Sequence, residues 1–216
     1  MTEQSDLLEA LNAGAQKINV ALSAAASARL LDYIQLIAKW NKVHNLTAVR
    51  ELQEMVTLHL LDSLTIVAHV PQGARVIDVG SGAGLPGIPL AIARADVQVT
   101  LLDSNHKKTA FLRQAKGELR LENVEVIADR VEDVATQTSP QELFDVVVSR
   151  AFSDLPDLVA AARHLLAPNG VMLAMKGVYP YEELTKVPAT VALDKVVPLT
   201  LPGADAQRHL VLLKTA

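Results

Sequence analysis

Cysteine is absent from the chain, which excludes disulfides, thiolate nucleophiles and cysteine-based zinc sites; any catalysis must proceed without sulfur from the protein. Aromatic residues are scarce, one Trp, three Tyr and three Phe, or 3% of the chain, so base-stacking platforms are few. There is no excess of positive charge: 20 Lys and Arg stand against 24 Asp and Glu, for a net charge of -4. A generic nucleic-acid binder would be basic, so a nucleic-acid partner would have to be met by a local patch. No apolar run approaches the roughly 20 residues of a membrane span. Residues 1–6 are polar and acidic where a secretory signal would be basic and then apolar. These absences predict a soluble, cytoplasmic protein with no membrane partner.

What is present is a chain of 216 residues, half of them hydrophobic, enough for one full α/β domain and a small additional subdomain. Residues 5–70 read as helical. Ser23 and Ser27 are candidate N-caps, and Leu30, Leu31, Ile34, Ile37, Ala38 and Trp40 recur near helical spacing. A further helix is expected over 51–70, after a structured turn in WNKVHNLTAV. From Ala74 short Val-, Ile- and Leu-rich strands alternate with helices. Strands are predicted at 75–79, 97–102, 124–127, 144–149 and 170–174, and helices at 87–95, 105–119, 131–136 and 154–166. Pro168, Asn169 and Gly170 should form the turn into the fifth strand. Such alternation implies a parallel sheet with right-handed crossovers. The runs at 191–201 and 209–214 lack room for a crossover helix and should pair as an antiparallel hairpin. The expected architecture is a helical cap over 1–72 followed by a Rossmann-like domain over 73–216, with a mainly parallel seven-stranded sheet ending in that hairpin.

Gly80, Gly82 and Gly84 follow directly on an apolar strand, where glycines let the backbone turn tightly and approach a ligand. Two cofactors compete for this loop, because Gly82-Ala-Gly84-Leu-Pro-Gly87 also satisfies the G-x-G-x-x-G spacing of dinucleotide sites. A nicotinamide-dependent oxidoreductase is therefore the rival of a methyltransferase. Asp78, just before the first glycine, favours the methyl donor. A carboxylate there can stabilise the loop or pair with a ligand ammonium, whereas it would repel a pyrophosphate. Pro86 and Pro89 each remove an N–H that a pyrophosphate would use.

Asp103 closes the second strand about 20 residues beyond the glycines, where a carboxylate can accept both ribose hydroxyls; it can equally cap the next helix. Asp129, Val131 and Glu132 follow the third strand and are candidates for holding an adenine, although Asp129 also fits an N-cap and Glu132 a first-turn charge. Arg150 ends the fourth strand and Lys176 the fifth, at the edge of the sheet where ligands gather in this architecture. His106, Lys107, Lys108, Arg113, Lys116 and Arg120, with Arg208 and Lys214 on the hairpin, offer a basic stripe that is either a solvated face or an RNA contact.

The segments KWNKVHNLTAVR (39–50), HLLDSL (59–64), IDVGSGAGLPGIPLAI (77–92), LLDSNHKKTAFL (101–112), VVSRAF (147–152), LAMKG (173–177) and RHLVLLK (208–214) together resemble the glucose-inhibited division protein B family, RsmG. Its members are 16S rRNA guanine-N7 methyltransferases. The resemblance implies a class I methyltransferase that takes S-adenosylmethionine as cofactor. Its substrate would be 16S rRNA, within the small ribosomal subunit or its precursor, and its target N7 of guanine 527 in the 530 loop. It also places cofactor contacts on Gly80, Leu85, Val131, Glu132 and Arg150, and the LLDS motif on Asp103, beside the Asp78 and Gly82 of the loop. Leu58 stands where some members carry an arginine, which weakens any phosphate-gripping role for the following helix; His59 and Asp62 are expected to orient the cap. Guanine N7 carries a lone pair, so no obligate general base is expected. Because the methylated purine is cationic, Arg150 and Lys176 should hold the cofactor carboxylate, O6 or a phosphate and not N7 itself; Lys176 and Arg208 are candidate substrate contacts. The protein is expected to be a monomer. A ribosome-binding protein that keeps the loop without catalysis is the remaining alternative.

Overall fold

In a computed structural model, residues 3–134, 143–150 and 152–215 are described. The chain begins with α1 (Glu3–Lys17) and α2 (Ala24–Asn41). Acidic Glu3 and Asp6 open α1 and Lys17 closes it, matching the helix dipole at both ends. Ser23 caps α2, its side chain accepting from the Ala26 N–H at 3.1 Å. Ser27, the other cap candidate, lies inside the helix and its hydroxyl donates to Asn12 Oδ1 of α1 at 2.7 Å. The apolar stripe Leu30, Leu31, Tyr33, Ile34, Leu36 and Ile37 is buried while Asp32 and Gln35 are exposed, as the 3.6-residue period requires.

The helix expected over 51–70 is not one regular helix. It comprises α3 (Leu52–Met55), a π-helical stretch (Val56–Leu61), α4 (Asp62–Leu64) and a 3-10 turn (Val67–His69). Residues 59–66 are all buried, so polar His59, Asp62 and Ser63 sit in the interior beside the leucines. Asn41, at the end of α2, orders the following loop: Nδ2 donates to the Thr47 and Val49 carbonyls and Oδ1 accepts from the Leu46 and Thr47 N–H groups.

Seven strands form one sheet in the order β3-β2-β1-β4-β5-β7-β6. They are β1 (Arg75–Val79), β2 (Gln98–Leu102), β3 (Val124–Ile127), β4 (Phe144–Ser149), β5 (Leu166–Lys176), β6 (Val191–Leu199) and β7 (Arg208–Thr215). The first five are parallel, and β7 runs antiparallel to both β5 and β6; the short link over 200–207 leaves no room for a crossover between β6 and β7. The crossovers carry α5 (Gly87–Ala93), α6 (His106–Glu118) and α7 (Leu155–Ala162), and a short α8 (Tyr181–Leu184) precedes β6. The sheet separates two apolar clusters: α1–α6 pack on the face presenting Val76, Val99 and Val148, and α7 on the face presenting Ile77, Val79 and Val147. This is the period-2 alternation of a strand buried on both sides.

Two crossovers differ from expectation. The helix predicted at 131–136 is only a 3-10 turn, Val131–Asp133; its apolar content is too small to bury a helical face, and residues 135 and 136 lie outside those described. Helix α7 ends at Ala162, short of 166, because Leu166 already pairs with Phe144 as the start of β5. Asn169, at φ 65, and Gly170 fall within that strand.

Candidate active site

The order of strands reverses at β1, and a cleft of about 560 Å³ opens at the carboxyl ends of the strands there, the position expected of ligands in open α/β sheets. It is lined by Val79 and Gly80 after β1, Leu102, Asp103 and Ser104 after β2, Asp129 to Glu132 after β3, and Phe152 and Ser153 after β4, with Lys108 from α6. Of the residues singled out in the sequence, Gly80, Asp103, Asp129, Val131 and Glu132 meet here. Asp78, Gly82, Leu85 and Arg150 do not line this cleft.

Asp78 lies behind it. The period of β1 turns its side chain to the α5 face, where Oδ2 accepts from the Gly87 N–H at 2.9 Å and Oδ1 has no partner among the described residues. It is wholly buried, and burial pushes its carboxyl up to about 7 against the pull of the Gly87 hydrogen bond. Of the two roles open to it, the structure gives it the stabilising of the loop. Gly87 must be glycine for this contact, since a Cβ there would stand 2.8 Å from Asp78 Oδ2. Gly80, at φ 72, has open space where a Cβ would project, so the backbone is bare beside the cleft.

Asp103 is 7% exposed. Its Oδ2 accepts from the Gly82 N–H at 2.9 Å and its Oδ1 from the Asn105 N–H at 2.8 Å, with Lys108 Nζ 3.8 Å away. Asn105, not Asp103, caps α6, taking the Lys107 and Lys108 N–H groups. A carboxylate offers about four acceptor positions, so Asp103 retains capacity for hydroxyl donors from the cleft. Glu132 pairs loosely with Arg130, at 3.5 Å on the surface.

The loop's own donors distinguish the two rival cofactors. The N–H groups of Gly80 and Ser81 go to the Leu102 carbonyl, that of Gly82 to Asp103, those of Gly84 and Leu85 to the Ser81 carbonyl, that of Gly87 to Asp78, and that of Ile88 to the Gly84 carbonyl. Pro86 and Pro89 have none. A diphosphate is bound by converging free backbone N–H groups, and this loop has spent nearly all of its own. The lining carboxylates, with ordinary acceptor capacity, suit instead a ribose and a cationic ligand. The residues present therefore fit S-adenosylmethionine.

A second cavity, of about 410 Å³, lies between the cap and the ends of β4, β5 and β7, lined by residues including His59, Asp62, Arg150, Lys176 and Arg208. Here Arg150 is not turned to the cofactor cleft: Nη1 donates to the Leu58 carbonyl at 3.1 Å and to Asp62 Oδ2 at 3.3 Å. Arg208 Nε donates to Asp62 Oδ1 at 2.8 Å, so one buried carboxylate ties the N-terminal helices to the ends of two strands, β4 and β7. Lys176 pairs with Glu183 at 2.8 Å. His59 Nε2 meets Thr47 Oγ1 at 2.9 Å; burial, aided by Arg150, holds its pKa below the usual histidine value, so the imidazole is neutral.

Sequence reasoning did not single out Phe152 and Ser153, which complete the first cleft, or Tyr33. The hydroxyl of Tyr33, on α2, donates to the Ala83 carbonyl of the glycine loop and so couples cap to loop. Nothing in the sequence sets Tyr33 apart from the apolar stripe around it.

The family of rRNA small subunit methyltransferase G, GidB, matches residues 26–211 of this sequence. The chain belongs to this family. It is 56% identical over 179 residues to the ribosomal RNA small subunit methyltransferase G of Chromobacterium violaceum, spanning 83% of this chain and 84% of that one. It is 52% identical over 210 residues to that of Nitrosospira multiformis, spanning 94% and 95%. Among solved structures it is similar in fold to a SAM dependent methyltransferase from Aquifex aeolicus, with TM-score 0.59 and 16% identity over 76% of this chain and 93% of that one. TrmN from Thermus thermophilus aligns with TM-score 0.54 and 16% identity, over 74% and 53%. The fold of this GidB-family chain is that of class I methyltransferases.

Proposed function

We propose that this chain transfers the methyl group of S-adenosylmethionine to N7 of a guanine in 16S rRNA, guanine 527 by the family resemblance. The observation that carries the cofactor half is the glycine loop whose N–H groups are satisfied internally while Asp103 keeps acceptor capacity toward the cleft. Membership of the family over residues 26–211 supports the substrate half.

In this reading the bare backbone at Gly80 admits the cofactor, Asp103 accepts its ribose hydroxyls, and Asp129, Val131 and Glu132 receive the adenine. Gly82 and Leu85 act one layer back: Gly82 holds Asp103 in place, and Leu85 packs the loop against the cap. Asp78 fixes the start of α5. Bound there, S-adenosylmethionine supplies an electrophilic methyl on a sulfonium. The nucleophile on guanine is already a free lone pair, so the chain needs no residue to remove a proton, and its contribution is positioning and exclusion of water. The acceptor enters from the second cavity, where Arg150 and Arg208, two cations sharing the single carboxylate of Asp62, leave a net positive charge for O6 or phosphate, and Lys176 is held by Glu183. With a net charge of -4, affinity for bare RNA should be weak, so the substrate is a folded small subunit or its precursor, met in the cytoplasm by a monomer.

The test has two parts. Calorimetry should show S-adenosylmethionine binding to the purified protein, and labelled methyl should pass to isolated small subunits far faster than to naked rRNA. No cofactor binding, or transfer to neither RNA, would refute the proposal.

A further inference from the structure

Beside the second cavity the surface carries a feature that the proposed chemistry leaves unused. A depression of about 710 Å³ is lined by Val178, Tyr179, Tyr181, Pro198, Arg208 and His209, among others. Two of the chain's three tyrosines are here, and the third, Tyr33, is buried in the core. Tyr181 is 73% exposed and Val178 72%, and among the described residues the other large apolar groups left in water are Leu8, Val43 and Leu193. The Tyr179 and Tyr181 ring centroids are 4.3 Å apart at 38°, and Tyr179 meets His209 edge-on at 5.5 Å and 81°. His209 is itself held, because the Gly177 carbonyl can only accept and His209 Nδ1 must therefore donate to it, at 3.1 Å. Tyr179 thus lies between His209 of β7 and Tyr181 at the start of α8, and the Tyr181 ring is largely open to solvent.

Arg208 lines both this depression and the cavity of Arg150 and Lys176. Its Nε is taken by Asp62 and its Nη1 by the Gln207 carbonyl, while Nη2 has no partner among the described residues. Of the two carboxylates on the neighbouring α8, Glu183 is paired with Lys176, while Glu182 is exposed and has no ion pair among the described residues. An occupant therefore needs a flat apolar face for the tyrosine and a negative group for the guanidinium within one short unit, and that is the chemistry of a nucleotide: aromatic side chains stack unpaired bases of any sequence, and arginine takes the phosphate.

We propose that Tyr181, backed by Tyr179 and His209, stacks an unpaired rRNA base next to the acceptor guanine, with Arg208 on its phosphate. The inference rests on the rRNA reading above and adds to it a second contact site on the RNA. It predicts that Tyr181→Ala lowers kcat/KM for small subunits about tenfold, the size of one lost base–aromatic stack, chiefly through KM. The S-adenosylmethionine Kd and the salt dependence of RNA binding should stay at wild-type values, since no phosphate contact is lost. Tyr181→Trp should restore kcat/KM to within about twofold, and Tyr181→Phe should behave as wild type. Because Tyr181 is exposed, all three variants should fold normally. Wild-type kcat/KM in Tyr181→Ala, a loss that Trp does not rescue, or a parallel change in cofactor affinity would each overturn the stacking site while leaving the methyltransferase reading intact. If the unmodified protein transfers no methyl to small subunits, that reading fails first and this inference falls with it.

Discussion

Asp78→Asn isolates an electrostatic cost built into the glycine loop. Asp78 is wholly buried with one oxygen unpartnered, and its carboxyl titrates at about 7 in the folded chain against 3.8 for a free aspartate. Folding thus favours the protonated form. The stability it contributes is complete below about pH 3.8 and is lost progressively as pH rises to about 7. At 1.36 kcal/mol for each tenfold difference, the loss above neutrality is on the order of 4 kcal/mol. Asparagine keeps an oxygen for the Gly87 N–H and carries no charge, but it places an amide where Oδ1 has no partner, at a cost of about 1–3 kcal/mol. The variant should therefore be slightly less stable than the wild type at pH 5 and more stable at pH 8.5, with the difference between the two proteins swinging by several kcal/mol. Urea denaturation of both proteins across that range measures this directly. Comparing them cancels the opposing contributions of His59, whose depressed pKa makes stability fall toward acid, and of Asp96, whose carboxyl is held low by Arg94 and Gly73. A difference independent of pH would refute the buried ionisable Asp78.

The remaining predictions concern the cleft and the cap. Asp103→Ala should weaken S-adenosylmethionine binding at least tenfold by calorimetry, with Asp103→Asn intermediate, while circular dichroism shows an intact fold; equal affinity would remove the ribose role. Asp62→Ala leaves Arg150 and Arg208 without their shared partner and should cost about 2 kcal/mol in denaturant unfolding, below the 3–5 kcal/mol of a fully buried pair because both arginines are partly exposed; a change under roughly 0.5 kcal/mol would mean that the two ion pairs are not coupling cap to sheet. Tyr33→Phe removes the hydroxyl that holds the Ala83 carbonyl and should cost about 1–2 kcal/mol, with a several-fold loss of cofactor affinity as the loop loosens; unchanged affinity would confine Tyr33 to the core.

Much of this is legible in the sequence alone. Strands β1 to β4 are readable within a residue because they are short segments rich in Val, Ile and Leu, each interrupted by no more than a few polar residues, and the terminal pair has to be antiparallel because too few residues separate its strands. The glycines and Asp103 stand out in the sequence by their spacing from strand ends, and the structure puts Gly80 and Asp103 on the cleft. For Arg150 the sequence gives only a position at the end of β4: its partners Leu58 and Asp62 lie 92 and 88 residues away, and only the packing of the N-terminal helices decides which way it turns. The π-helical stretch was hidden for a related reason, since residues 59–66 are buried on every side and carry no periodicity to be broken. At Val131–Asp133 the acidic first turn imitates a helix start, and the apolar stripe that would continue it is missing.

The base that is modified is the most direct test of the proposed function. Small-subunit rRNA from cells with and without the gene can be reduced with borohydride and cleaved with aniline, which cuts at N7-methylguanine. If the proposed function holds, one scission, at guanine 527, is present with the gene, absent on deletion, and restored by the wild-type chain but not by Asp103→Ala. Scission that persists at full yield after deletion would contradict it.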